Sequence, residues 1–204
     1  MDFVSLLIFG LFLPFLFGSV PFGLLITASA GLGDIRNIGS GNVGATNVLR
    51  TGRKGLALAT LLADAGKGAA AVIIANFLNN GNIWLSVFAA VAAVCGHVFS
   101  PWLKFKGGKG VATSIGVILA LSWPTGLCAI AIWFGMAWRF RYSSLAALTA
   151  AAATPFLALM FAPWQIALAL FVIAAIVVAR HHENIRRLMN STESKINLGS
   201  KANA

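Results

Sequence analysis

The chain has 204 residues, of which 59% are hydrophobic and 10% are charged, and its formal net charge is +10. Soluble domains carry about 25% charged residues and about 45–50% apolar ones, so this composition excludes an ordinary soluble domain. Its hydrophobicity also excludes an intrinsically disordered chain. An integral membrane protein remains, and in that class basic residues flank the cytoplasmic ends of helices. We therefore expect the lipid bilayer, and no nucleic acid, as the partner of these charges.

The cysteine and metal-ligand patterns indicate neither a disulfide-bonded protein nor a metalloprotein. Cys95 and Cys128 both lie in apolar runs, where a free thiol behaves as a small hydrophobic residue. No spacing of His, Cys, Asp or Glu matches a metal site. We therefore expect no metal and no cofactor.

Seven apolar segments are predicted to be transmembrane helices of one all-α membrane domain that covers residues 1–204. They span about 3–29, 55–78, 83–99, 110–122, 125–138, 144–161 and 165–179. The first contains Pro14 and Pro21, and neighbouring helices can satisfy the backbone groups that a proline frees. Trp123-Pro124 separates the fourth segment from the fifth, each shorter than the roughly 20 residues of an ordinary span. A tilted pair and a partly re-entrant pair are both compatible with these lengths.

The basic residues indicate which side of the membrane each loop faces. Fourteen of the fifteen follow the first, third, fifth and seventh predicted spans. They are Arg36, Arg50, Arg53, Lys54, Lys104, Lys106, Lys109, Arg139, Arg141, Arg180, Arg186, Arg187, Lys195 and Lys201. The turns near 79–82, 123–124 and 161–164 contain none. Because cytoplasmic loops are enriched in Lys and Arg, we expect the N-terminus outside and the C-terminus in the cytoplasm.

The first polar loop, residues 39–50 (GSGNVGATNVLR), combines three glycines with hydroxyl, amide and guanidinium donors. Glycine-rich turns with outward N–H groups form anion sites, and phosphate is a common occupant. A plain surface turn is the competing interpretation, and the loop alone does not decide between them.

The second polar loop, residues 104–113 (KFKGGKGVAT), leads from glycines and Lys109 directly into a predicted helix. A helix N-terminus presents free N–H groups and the positive end of a dipole, which favours phosphate. The spacing of a nucleotide P-loop is absent. The alternative is a basic loop that anchors a short helix to lipid headgroups. Two cationic, glycine-rich loops on one face favour a phosphate site more than either does alone.

A third polar segment, HHENIRRL at 181–188, follows the last span. If it is helical, His181, Asn184 and Arg187 share one face because they are three residues apart. An interfacial helix with its bases toward anionic lipid is the alternative, in which His181 and His182 are solvated.

Two polar features lie inside predicted spans. Asp64 and Lys67 are three apart on one helix, and charges at bilayer depth cost about 2.5–3.5 kcal/mol each on insertion scales. An intrahelical ion pair is the favoured interpretation. His97 lies at the cytoplasmic end of the third span, where it can either bond loop backbone or border a site.

Three stretches, in their order and spacing, resemble the PlsY family, the bacterial glycerol-3-phosphate acyltransferases that use acyl phosphate as donor. They are SVPFG with DIRNIGSGNVGATNVLR, GHVFSPWLKFKGGKGVAT, and RHHENIRRLMNSTESKI. RYSSL at 141–145 resembles the short loop between the fifth and sixth spans of that family. The resemblance runs from about Ser19 to Ile196, nearly the whole chain.

The resemblance implies a seven-helix enzyme of the bacterial inner membrane, with an active site formed by cytoplasmic loops. It implies transfer of a fatty acyl group from acyl phosphate to the 1-hydroxyl of sn-glycerol 3-phosphate, which gives lysophosphatidic acid and phosphate in phospholipid biosynthesis. The soluble enzyme that makes acyl phosphate is a candidate partner.

The resemblance also implies a set of site residues. The implied catalytic residues are Ser40, Lys109, His181 and Asn184. The implied substrate-binding residues are Arg50, Gly41, Asn42, Thr46, Asn47, Gly107, Gly108 and Ser144. A serine that often follows Ser144 by three residues in the family is Ala147 here, a departure from the family pattern.

The chemistry of the loops agrees with this reaction, because both substrates carry phosphate. We expect the glycerol hydroxyl to attack the acyl group directly. Lys109 and loop N–H groups would neutralise the leaving phosphate, and Arg50 would bind the acceptor phosphate. His181 is expected to orient groups in the site or to act as the base. A multi-span transporter of a phosphorylated solute and a lipid-binding scaffold are the alternatives, although transporters usually carry internal repeats and midplane sites.

Overall fold

A computed structural model describes residues 3–78 and 82–196, and within these ranges all regular structure is helical. Most of the predicted 79–82 turn and the basic residue Lys201 lie outside the described residues. The helices are α1 (Phe3–Ser29, broken at Val20 and Pro21), α2 (Ala45–Leu49), α3 (Lys54–Leu78), α4 (Ile83–Val98), α5 (Val111–Leu121), α6 (Trp123–Phe140), α7 (Ser143–Phe161), α8 (Trp164–Arg180) and α9 (His182–Met189).

A helix lies at each of the seven predicted spans. Within the described ranges, four segments are long and apolar enough to cross a membrane: Phe3–Ser29, Lys54–Leu78, Ile83–Leu103 and Ser143–Phe161. The α8–α9 pair, bent by 62°, would be a fifth, and α5 is a shorter apolar helix. The all-helical membrane fold is thus confirmed, whereas seven crossings and their orientation stay predictions.

The boundary at Trp123-Pro124 separates two helices, as predicted, but α6 begins before the expected residue 125. It starts at Trp123 and has 18 residues, with Pro124 in its first turn. Proline is compatible with that position because the first N–H groups of a helix have no intrahelical acceptor. The preceding residue, Ser122, is extended, which ends α5.

Large apolar side chains cover the outer surface. Phe77, Trp138 and Met160 are 84%, 79% and 74% exposed, on three different helices. Such exposure is compatible with lipid rather than water around the helices. Glycines allow close helix contacts inside: a Cβ on Gly18 would lie 2.1 Å from Ala93 O, and one on Gly116 would lie 1.9 Å from Ala65 O. Small residues at helix crossings are typical of membrane bundles.

The break in α1 takes the Val20 carbonyl out of the regular helical pattern, and this carbonyl accepts from Phe22 N at 3.1 Å. Pro21 has no N–H, and Val20 leaves helical geometry with φ −58° and ψ 120°. Lys67 Nζ of α3 donates to Val20 O at 2.7 Å. A neighbouring helix therefore satisfies the carbonyl at this proline break, as predicted.

Candidate active site

Asn47 organises the first loop from within. Its amide Nδ2 donates to Ile35 O at 3.0 Å and to Ile38 O at 2.9 Å, and its Oδ1 accepts from Ser40 N at 2.9 Å. Asn47 is 2% exposed. These bonds use the amide inside the protein, so Asn47 shapes the loop that presents Ser40.

Backbone geometry explains the neighbouring polar and glycine positions. Asn42 Oδ1 accepts from Gly44 N at 2.9 Å, which closes a short turn. Gly41 N donates to Ile38 O at 3.1 Å, and the φ of Gly41 is +70°. The N–H groups of Ser40, Gly41 and Gly44 therefore donate within the loop, and an anion site on this loop stays a prediction.

Arg50 follows α2 and reaches toward the C-terminal segment. Its stem lies over Gly39, where a Cβ would be 2.9 Å from Arg50 Cδ. Its Nη2 donates to Ser194 Oγ. Thr46, one turn earlier, lies 3.1 Å from Ser143 through their hydroxyl oxygens, which joins the first loop to the start of α7.

The second loop docks on the carboxyl end of α4. Gly107 N donates to Val98 O at 3.0 Å, and Gly108 N donates to His97 O at 3.2 Å. These acceptors are carbonyls at a helix end, which need donors from outside the helix. The two glycine N–H groups thus bind α4, and the substrate-binding places of Gly107 and Gly108 stay predictions. The side chain of Lys109 is half-buried, whereas Lys104 and Lys106 of the same loop are exposed.

Lys109 is linked to the third segment through Asn184. Lys109 Nζ donates to Asn184 Oδ1, and Asn184 Nδ2 donates to Glu193 Oε1 at 2.6 Å. An ammonium only donates and a carboxylate only accepts, so the orientation of the Asn184 amide is fixed by chemistry. The predicted face of the third segment is present: His181 and Asn184 are 2% and 5% exposed.

Glu193 is the site residue that the sequence analysis missed. It accepts from Ser144 Oγ at 2.7 Å and from Arg187 Nε at 2.7 Å, in addition to Asn184. Burial raises the pKa of Glu193, but the hydrogen bonds from Ser144, Arg187 and Asn184 outweigh it and hold the pKa below its ordinary value. One feature of the sequence could have indicated Glu193: the chain has only five acidic residues, and this one follows a basic segment.

His181 is neutral and presents one free ring nitrogen. Its Nδ1 lies 2.7 Å from Val177 O, and a carbonyl only accepts, so Nδ1 carries the hydrogen. Burial lowers the pKa of His181 to about 4, with a smaller contribution from the positive charge of Lys109. At neutral pH the lone pair of Nε2 is therefore free to accept a hydrogen bond.

The charge on Lys109 is sensitive to its surroundings. Burial lowers its pKa to about 8, while Glu193 raises it and the charges of Arg187 and Arg50 lower it further. Lys109 thus shares one electrostatic environment with residues of the first loop, the third segment and the C-terminal tail. In the parts of the chain that the structure describes, no group of three His, Cys, Asp or Glu side chains could hold a metal ion.

Comparison with known proteins identifies the family. A family model described as glycerol-3-phosphate acyltransferase matches residues 8–191. The glycerol-3-phosphate acyltransferase of Mesorhizobium japonicum is 54% identical over 191 residues, covering 93% of this chain and 96% of the relative. That of Caulobacter vibrioides is 55% identical over 184 residues, covering 89% and 84%.

Solved structures agree. The crystal structure of PlsY (YgiH), an integral membrane glycerol 3-phosphate acyltransferase, in its glycerol 3-phosphate form has a TM-score of 0.89 and 36% identity, covering 95% of this chain and 96% of that one. The lysophosphatidic acid form has a TM-score of 0.85 and 35% identity, with 95% of each chain covered. The chain therefore belongs to the glycerol-3-phosphate acyltransferase family and is a multi-pass membrane acyltransferase.

Proposed function

We propose that this acyltransferase moves a fatty acyl group from acyl phosphate to the 1-hydroxyl of sn-glycerol 3-phosphate. The products are lysophosphatidic acid and inorganic phosphate. The acceptor is supported by the names of the relatives and by the two ligand forms of the PlsY structure. The donor is our inference from the resemblance to the PlsY family, and the charges of the site agree with it.

One observation carries the proposal: two site cations are paired with neutral oxygen atoms. Arg50 donates to the Ser194 hydroxyl, and Lys109 donates to the Asn184 amide. Among the described residues neither cation forms an ion pair, and the carboxylate of Glu193 pairs with Arg187 instead. The site thus keeps two positive charges for anionic ligands. A reaction between two phosphate compounds provides two anionic groups, one for each charge.

We assign each cation to one phosphate. Arg50 presents a planar fork on the first loop, which suits the terminal phosphate of the acceptor through two parallel hydrogen bonds. Lys109 is a compact charge beside Asn184 and His181, which suits the phosphate that leaves. Lys109 has three N–H donors, so it can bind phosphate while it keeps its bond to Asn184, and a phosphate at Arg50 replaces only the Ser194 hydroxyl. No internal carboxylate has to be displaced.

The reaction needs one displacement. The hydroxyl oxygen of the acceptor bonds to the acyl carbonyl carbon, the bond from that carbon to the phosphate oxygen breaks, and the electron pair leaves with phosphate. The hydroxyl proton ends on the released phosphate, so the atoms and charges balance. His181 Nε2 accepts a hydrogen bond from the attacking hydroxyl and orients it, while Asn184 holds Lys109.

Ser40 and Ser144 act as hydrogen-bonding groups in this account. Ser40 Oγ lies 3.3 Å from Asn47 Oδ1, and a side-chain oxygen of that kind gives it no basic partner to remove its proton. We therefore propose no acyl-enzyme. Acid quenching during turnover, followed by mass spectrometry, should find no acylated Ser40; an acyl group there would contradict direct transfer.

We also propose that the site faces the cytoplasm from the bacterial inner membrane. The basic loops support this orientation through the positive-inside rule. Glycerol 3-phosphate is charged and water-soluble, so an aqueous face must reach the site, and the acyl chain enters from the surrounding lipid. A single cysteine at Lys106 should be labelled by an impermeant maleimide in inside-out vesicles and not in right-side-out ones; the reverse result would contradict the orientation.

The donor is tested with purified protein in detergent. Palmitoyl phosphate and palmitoyl-CoA are each supplied with radiolabelled glycerol 3-phosphate, and labelled lysophosphatidic acid is measured. We expect product with palmitoyl phosphate and little with palmitoyl-CoA. Product from palmitoyl-CoA alone would overturn the donor proposal and leave the family assignment intact.

A further inference from the structure

A buried charged cluster lies beneath the second loop and has no part in the reaction proposed above. It consists of Asp64 and Lys67 on α3 and His97 on α4, which we call the buried triad. Lys67 Nζ lies 2.7 Å from Asp64 Oδ1, and the two side chains are 1% and 2% exposed. His97 Nδ1 lies 3.6 Å from the same oxygen, and its side chain is 6% exposed.

Lys67 fixes one end of the triad to α1. Its Nζ donates to Val20 O at 2.7 Å, the carbonyl at the proline break, and lies 5.7 Å from the centre of the Phe22 ring. The ammonium is therefore held between Asp64 and α1. The Asp64 carboxylate is fixed in turn, because its ammonium partner cannot swing away.

His97 fixes the other end of the triad to the second loop. Its carbonyl accepts from Gly108 N at 3.2 Å. Its ring packs directly on the same glycine, since a Cβ on Gly108 would lie 2.2 Å from His97 Nε2. The residue that follows Gly108 is Lys109, so the place of the His97 ring determines where the loop carries this lysine.

The triad also borders the first loop. Asp64, Lys67 and His97 line one tightly packed pocket together with Val43 of the first loop and Leu103. One buried cluster thus contacts the break in α1 and lies below both polar loops. An ion pair whose only role was to neutralise two charges would need no third group at the docking point of a catalytic loop.

We propose that the buried triad is a positioning unit for Lys109. Asp64, held by Lys67, sets the His97 ring, and His97 sets Gly108 and the lysine after it. The inference rests on the proposed function only in taking Lys109 as a site residue. It assigns positioning roles to three residues whose side chains are buried.

The test removes the buried charges together. Asp64→Leu alone would leave Lys67 charged and unpaired, which is strongly destabilising, whereas Asp64→Leu with Lys67→Met leaves no unpaired charge. We expect the double variant to keep its melting temperature in detergent, because Phe22 N still donates to Val20 O once the lysine is gone. We expect its kcat/KM per folded molecule to fall by about 10²-fold, the loss that a misplacement of about 1 Å can cause. Cys95→Ala, on α4 but away from the loop, is the matched control and should keep wild-type kinetics.

Two further variants address His97 directly. His97→Gln keeps a polar group that can reach Asp64 and should retain more kcat than His97→Ala at equal folded concentration. Wild-type kcat and KM in the double variant would overturn the inference. A loss of activity that is fully explained by a smaller amount of folded protein would also overturn it. All variants are assayed with the donor that the wild type uses, so failure of palmitoyl phosphate as donor and failure of the positioning role give different results.

Discussion

Two lysines of this chain, Lys67 and Lys109, lie close to carboxylates but serve opposite purposes. Lys67 is 1% exposed at its side chain and has two oxygen acceptors at 2.7 Å, from Asp64 and Val20. Lys109 is half-buried, and its direct partner is the neutral amide of Asn184. The protein engages two of the three N–H donors of Lys67 and pairs its charge with Asp64, while Lys109 keeps most of its charge available.

The difference between the two lysines shows what distinguishes a binding group from a positioning group in one membrane protein. Residue type and local glycine content do not distinguish them. What distinguishes the two lysines is access to solvent and the strength of their present partners. A phosphate can replace a neutral hydrogen-bond acceptor more easily than a buried carboxylate that already pairs with the lysine. The predictions below test this contrast.

The largest effect is expected from removing the available lysine. Lys109→Ala should lower kcat/KM by about 10²- to 10³-fold, because one preorganised donor to a developing anion contributes that much. Lys106→Ala, three residues earlier and exposed, is the matched control and should change kcat/KM less than twofold. Turnover is measured by release of phosphate. Near-normal turnover in Lys109→Ala would contradict the assignment of this lysine to the site.

His181 should show a graded response. His181→Ala removes the Nε2 acceptor, and we expect a loss of about 10²-fold in kcat, within the range for groups that handle a reacting proton. His181→Gln offers an amide acceptor and should retain about tenfold more activity than His181→Ala if the residue orients the hydroxyl. Equal and complete loss in both variants would favour His181 as the base.

Glu193→Gln should disconnect the tail from the site. The amide cannot accept charge-assisted hydrogen bonds from Ser144 and Arg187, which are worth about 1.5–3 kcal/mol each. Because Asn184 then loses its fixed orientation, we expect kcat to fall by about tenfold. Initial rates in detergent measure this; unchanged kcat would show that the carboxylate does not support Asn184.

The pH profile tests the charge on Lys109. Its pKa is about 8, well below the ordinary 10.5, so the charged form is lost as pH rises through that value. We expect kcat/KM for the donor to fall on the alkaline side of about pH 8. Lys109→Arg should move this limb upward, since arginine stays protonated. An alkaline limb that does not move would assign it to another group.

Ser144→Ala should have the smallest effect, about threefold on kcat, because it removes one of several donors to Glu193. Thr149→Ala is its control, since the Thr149 hydroxyl on the same helix bonds Leu145 O at 2.9 Å away from the site. A loss above about 30-fold in Ser144→Ala would indicate a direct role in the reaction.

Features of the fold that depend on nearby residues in the chain could be predicted from the sequence. Apolar segments and proline positions predicted the helices, and three-residue spacing predicted the Asp64–Lys67 pair and the face that carries His181 and Asn184. These features depend on neighbours within a few residues, which periodicity reports.

Roles set by distant contacts were not predictable in this way. The N–H groups of Gly107 and Gly108 donate to carbonyls of α4, and the Asn47 amide is used inside its own loop. Glu193 meets Ser144 from 49 residues away, and Lys109 meets Asn184 from 75 residues away. No local pattern reports which donor a carbonyl or carboxylate will find across such separations.

The central claim is that one site holds two phosphates, each with its own cation. The most direct measurement is the KM for each substrate in Arg50→Lys and in Lys109→Arg, at saturating concentration of the other substrate. We expect Arg50→Lys to raise the KM for glycerol 3-phosphate with little change for palmitoyl phosphate, and Lys109→Arg to do the reverse. Both variants raising the KM for the same substrate, or neither raising any, would contradict the account.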